Sequence, residues 1–148
     1  MRLQYFALAL ILVMACTSND DSSNETPELK ADGFPQRWEL TAMTGMVAGV
    51  PPTTGDDMDW QEQYLLFADS TFLKSRTINE ATLEQGGTFR IVEFSDGEYL
   101  ELNYAEGGEL IGNCSGGPME FLRFESETQL IGTWWACDGP GLFYDRVE

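Results

Sequence analysis

The sequence contains no histidine, and lysine and arginine together number 8 against 25 aspartates and glutamates. Without an imidazole, the usual Ser-His and Cys-His nucleophile pairs and the common histidine-based zinc sites cannot be built. The formal charge of −17 repels phosphate backbones, so nucleic acid is excluded as a partner. Cysteine is also scarce, with three residues at 16, 114 and 137. The chain lacks an apolar run long enough to span a bilayer, because the uncharged stretch from Tyr5 to Met14 covers only about half of a ~30 Å hydrocarbon core. At 148 residues there is room for one ordinary domain, and 43% hydrophobic residues suit a globular core.

The uncharged stretch follows a single positive charge at Arg2 and ends in Val13-Met14-Ala15-Cys16. That order of basic start, short apolar run and small residue before a cysteine resembles the signal peptide and lipobox of bacterial lipoproteins. The resemblance implies a signal peptide over 1–15 and diacylation of Cys16, with acyl chains holding the protein to a membrane. Residues 16–36 are rich in Ser, Asn, Asp and Pro and read as a flexible tether. Thr17, rather than aspartate, follows Cys16, which by the usual Gram-negative rule implies the outer membrane; the periplasmic and surface-exposed faces both remain open. In such an oxidising compartment, Cys114 and Cys137 are expected to pair. The bridge would close a loop of about 24 residues and stabilise by roughly 3 kcal/mol.

From Trp38 onward apolar residues recur with period two in short runs separated by turn residues, which predicts an all-β domain over 37–148. Expected strands include Trp38 to Leu40, Tyr99 to Tyr104, Glu109 to Cys114, Met119 to Phe124, Gln129 to Trp135 and Leu142 to Val147. Eight or nine antiparallel strands with short links suggest an up-and-down barrel, since closure removes exposed edges. Only Asn79 to Gln85 is expected to form a helical turn. The long connection from Thr44 to Gln61, carrying Met46, Val47 and Val50, is expected at a barrel mouth as a lid or a mobile acidic loop.

An opening strand with Trp38, a long first loop, a meander of hairpins and a final aromatic strand ending in Arg146 are similar to the lipocalin-like, calycin-type domains of small bacterial lipoproteins. The resemblance covers about residues 37–146, and Gln36-Arg37-Trp38 stands where that family has Gly-x-Trp. It implies that Arg146 covers Trp38 in a cation-π contact closing one barrel end. It also implies a small, mainly hydrophobic ligand inside the barrel, lined by Phe72, Phe89, Leu102, Tyr104, Phe121 and Trp134. The competing expectation is a barrel filled by its own side chains, serving as an accessory module for another envelope protein.

No catalytic residue or cofactor is assigned. Ser115-Gly116-Gly117-Pro118 resembles the nucleophile segment of chymotrypsin-like proteases but has no histidine to serve as base. Asp56, Asp57, Asp59 and Glu62 could gather around calcium, although the EF-hand spacing is absent.

Overall fold

The computed structural model describes residues 29, 33–45 and 49–148. The expected signal segment, Cys16, most of the expected tether, and Met46 and Val47 of the long connection lie outside the described residues. Nine strands follow in order: β1 Gln36–Thr44, β2 Thr53–Thr54, β3 Gln61–Leu66, β4 Thr71–Ile78, β5 Ala81–Phe94, β6 Gly97–Tyr104, β7 Met119–Ser126, β8 Gln129–Gly132 and β9 Gly141–Val147. β1 and β3 to β9 pair in sequence order, every pair antiparallel, and β9 returns to β1. The result is a closed eight-stranded barrel, with β2 attached to the upper half of β1.

Alternation along each strand decides what lies inside. Trp38 and Leu40 of β1 are buried, and the register then slips between Leu40 and Ala42. This bulge reverses the parity, so Met43 rather than Ala42 enters the core. Tyr64, Leu66, Phe72, Leu100, Leu102, Leu122, Leu130, Leu142 and Tyr144 complete the inner layer. Of this set Tyr64, Leu66, Leu100, Leu102, Leu122, Leu130, Leu142 and Tyr144 are fully buried, each aliphatic side chain contributing on the order of 1.5–3 kcal/mol of transfer free energy.

β5 is shared by two neighbours at an offset: β4 pairs along Ala81 to Thr88, and β6 along Gly87 to Phe94. At the overlap, a Cβ on Gly87 would run into the Asn103 carbonyl of β6, and one on Gly86 would sit 2.8 Å from the Phe72 carbonyl. Only glycine permits so close an approach of backbones at this bend.

The anticipated helical turn at Asn79 to Gln85 is instead a hairpin. Asn79 and Glu80 both take positive φ, 49° and 67°, as a two-residue type I′ turn requires, and β5 begins at Ala81. Two expected strands also differ. Residues 109–114 belong to a loop between β6 and β7, and β8 stops at Gly132, with Trp134–Cys137 forming a 3-10 turn.

Strand directions sort the connections. The links 45–60, 105–118 and 133–140 lie at one end, the mouth, together with the tight turn at 79–80. The opposite end has the short links 67–70, 95–96 and 127–128, and β1 enters there. A disulfide between Cys114 and Cys137 joins two of the mouth loops.

Candidate functional site

The inner face of β4 carries Phe72, then Lys74, then Arg76, so period two brings two cations into the barrel. Lys74 is fully buried. Its ammonium lies 3.1 Å from Glu62 Oε1 of β3 and 3.1 Å from Glu120 Oε2 of β7, and donates to the Leu110 carbonyl at 2.6 Å. Arg76 Nε donates to Glu62 Oε2, while its terminal nitrogens donate to the Glu109 and Leu110 carbonyls, each at 3.4 Å. Tyr144 donates to Glu62 Oε1 at 2.5 Å, and Tyr104 donates to Glu120 Oε2. Two cations thus meet two carboxylates, and the network is neutral as a whole. Burial in this way is tolerable only when each charge is paired and hydrogen-bonded.

Burial also sets the protonation of this layer. It pushes the Glu120 carboxyl above the usual carboxylate range despite the opposing pull of Lys74. It raises the Tyr64, Tyr104 and Tyr144 phenols above their ordinary value, with the nearby carboxylates adding to the effect. Arg76 is pulled down by burial, but Glu62 outweighs that and its net shift is upward. Aromatic faces supply further contacts: Lys74 lies 4.9 Å from the Tyr64 ring centroid and Arg76 4.5 Å from that of Trp60.

The residues expected to line a ligand chamber separate into distinct places. Phe72, Leu102 and Tyr104 face inward, with Phe72 and Tyr104 edge to face at 4.9 Å. They are packed core beside the ion network. Phe89 is half-buried at the end opposite the mouth, 6.3 Å from Phe34 of the segment that precedes β1. Trp134 sits on the 3-10 turn and packs onto the core from the mouth side. Gly139 makes room for its indole, because a Cβ there would overlap the ring.

Phe121, expected inside the barrel, faces outward. It pairs with Glu101 across β6 and β7, and Glu101 accepts from Arg90 at 2.8 and 2.9 Å on the outer wall. The pairs Leu102 with Glu120 and Leu100 with Leu122 take the inner parity, so Phe121 points outward. There it lies 5.9 Å from Phe94.

Trp38 and Arg146 are direct cross-strand partners in β1 and β9. The Trp38 and Phe124 rings pack edge to face at 6.2 Å, and an Arg146 guanidinium nitrogen would lie 2.7 Å from a Cβ on Gly33. The cation-π contacts among the described residues are those of Lys74 and Arg76, not one between Trp38 and Arg146. Glu62 is likewise withdrawn from the acidic loop by its ion pairs, leaving Asp56, Asp57 and Asp59 without it.

Sequence reasoning missed Lys74, Arg76 and Glu120, and it placed Glu62 with the acidic loop rather than in the barrel. The available signal was parity, since Lys74 and Arg76 continue the spacing of the inward Phe72 and are two of only 8 cations in the chain.

A cavity of about 850 Å³ is an open groove on the outer wall, running from Trp135 and Asp138 at the mouth to Asp96 on the link 95–96. Val50, Tyr99, Ile131, Trp135 and Phe143 give it apolar surface, and Asp96, Arg123 and Asp138 give it charge. Trp135 is 61% exposed. An adjoining pocket of about 500 Å³ shares Thr44, Gly45, Asp138 and Gly139 with the groove and adds Asp59, Trp60 and Trp134. Comparison with protein-family models, curated proteins and solved structures finds no match to this chain.

Proposed function

We propose that this chain is a lipid-anchored, lipocalin-like lipoprotein of the Gram-negative cell envelope, held to the outer membrane through Cys16. Its barrel acts as a non-catalytic binding module for a small, mainly hydrophobic ligand. The order of a Trp38 strand, a long first loop, a meander of hairpins and a closing strand with Arg146 supports the lipocalin-like reading. One observation moves the ligand from the interior to the outer groove. The central space is taken by Lys74, Arg76, Glu62, Glu120, Tyr104 and Tyr144, whose mutual hydrogen bonds an apolar guest would have to break, and by the buried Tyr64 ring against Lys74. The groove, by contrast, has a volume ordinary for small-molecule sites and an aromatic lining.

Titration with Nile red, a neutral apolar dye, tests the location. Trp135→Ala and Phe143→Ala should weaken binding, while Leu102→Met inside the barrel should leave it unchanged; the reverse pattern would return the ligand to the interior. Replacement of Cys16 by Ser should release the protein from membranes, and unchanged attachment would sink the anchor.

A second reading, a filled barrel that holds another envelope protein, draws on Phe94, which is 50% exposed beside Tyr99 and Phe121. Under it, Phe94→Asp would abolish the partner complex and leave dye binding intact.

A further inference from the structure

We infer that the outer groove selects a small organic cation with an apolar body. This deepens the proposal above and rests on the groove being the binding site.

The lining combines exposed aromatic surface with carboxylates. Trp135, Tyr99 and Phe143 provide ring surface, and Trp135 is the most exposed large hydrophobic side chain among the described residues. Asp96 and Asp138 line the same groove, and Asp59 lines the adjoining pocket. Tyr99 donates to Asp96 Oδ2 at 2.9 Å, which fixes that carboxylate beside its ring. Among the lining residues of both cavities the one cation is Arg123, and it is already paired with Glu125.

Charge and aromatic surface therefore point the same way. A cation placed over a ring face within about 6 Å gains from the ring quadrupole, and gains more where it leaves water. Within this protein Arg76 over Trp60 makes that contact at 4.5 Å. The −17 charge of the whole chain adds a long-range field that draws cations and repels anions. An apolar body is needed as well, because Val50, Ile131 and Phe143 offer nothing to a bare hydrated ion. A hydrophobic amine or quaternary ammonium meets both demands. A carboxylate of the same length would face Asp96 and Asp138 with Arg123 already engaged.

Isothermal titration of the purified protein with hexyltrimethylammonium, hexanol and hexanoate separates the possibilities. The cation should bind about tenfold more tightly than hexanol, and hexanoate more weakly than either. Raising salt from about 20 mM to about 500 mM should weaken the cation alone. Trp135→Ala should reduce binding of both hexyltrimethylammonium and hexanol. The double variant Asp96→Asn, Asp138→Asn should remove the preference for the cation while keeping hexanol binding, and Asp57→Asn, away from the groove, should leave the preference intact. Equal loss in Asp57→Asn would reduce the effect to diffuse charge and overturn the inference. Should hexanol bind in a Trp135-dependent way with no advantage to the cation, the groove stands and the cationic class falls. If none of the three binds in a Trp135-dependent way, the groove reading falls with it.

Discussion

Replacing Glu62 by Gln is the sharpest perturbation of this fold, because it alters one charge and almost no volume. The native carboxylate faces Lys74 at 3.1 Å, accepts from Arg76, and accepts from Tyr144 at 2.5 Å. At an effective dielectric near 20, one ion pair at that separation is worth about 5 kcal/mol of gross attraction, most of it already spent on desolvating the ions. Removing one partner recovers none of the desolvation cost for those that remain. After the change two buried cations share the single carboxylate of Glu120, and the glutamine amide must turn N–H groups toward donors. The expected loss is about 3–5 kcal/mol, a large share of the ~5–15 kcal/mol typical of a domain. Urea unfolding followed by tryptophan fluorescence would read it. Glu62→Leu combined with Lys74→Met removes one charge of each sign and should lose less than the two single changes added together. A loss under about 1 kcal/mol in Glu62→Gln would refute the reasoning, since it would mean that water already screens the network.

Alkali should be unusually damaging. Burial raises the Tyr64, Tyr104 and Tyr144 phenols in the folded chain, so above the ordinary value near 10 the unfolded chain gives up protons that the folded chain keeps. Stability is then present below about pH 10 and falls above it, by up to ~4 kcal/mol per pH unit for the three together, and their ionisation at 295 nm should coincide with unfolding. Leu102→Ala should cost about 2–5 kcal/mol in denaturant, whereas Phe121→Ala on the outer wall should cost clearly less; equal losses would contradict the β6 to β7 register. Gly87→Ala should abolish cooperative unfolding by forcing β5 away from Asn103, and a stable variant with unchanged circular dichroism would show that the backbones can part. Reduction of Cys114 and Cys137 should lower stability by roughly 3 kcal/mol without opening the barrel, since the bridge joins loops and no strands.

The barrel was legible in the sequence because its strands alternate with few interruptions. Trp38 and Leu40, Leu100 and Leu102, and Leu142 and Tyr144 all lie inside as period two predicts. Legibility failed where parity was ambiguous or broken. Glu120 to Phe124 carries apolar residues on both faces, and only pairing with β6 shows that Glu120 is inside and Phe121 outside. Lys74 and Arg76 hid because buried charges contradict the alternation used to find strands. The β4 to β5 turn lacks glycine, so Asn79-Glu80 looked like a helix start rather than a turn with two positive φ angles. Residues 109–114 alternate well enough for a strand, yet the Leu110 carbonyl accepts from Lys74 and Arg76, which holds that link against the ion network instead of in the sheet.

The same buried charges bear on where recognition can happen. A barrel that places ion pairs where an apolar wall would hold a guest leaves binding to its loops and outer wall. Here the three long links gather at one end, two of them tied by Cys114 and Cys137. β1 begins at the other end, where Phe34 and Leu29 pack near Phe89. Under the proposed anchoring through Cys16, the domain would be held by the end opposite the mouth, through the residues between Cys16 and Leu29. The Trp135 end of the groove would then point away from the anchored end, with Asp96 nearer to it. The acidic surface would fit such an anchoring, since its charge repels anionic lipid.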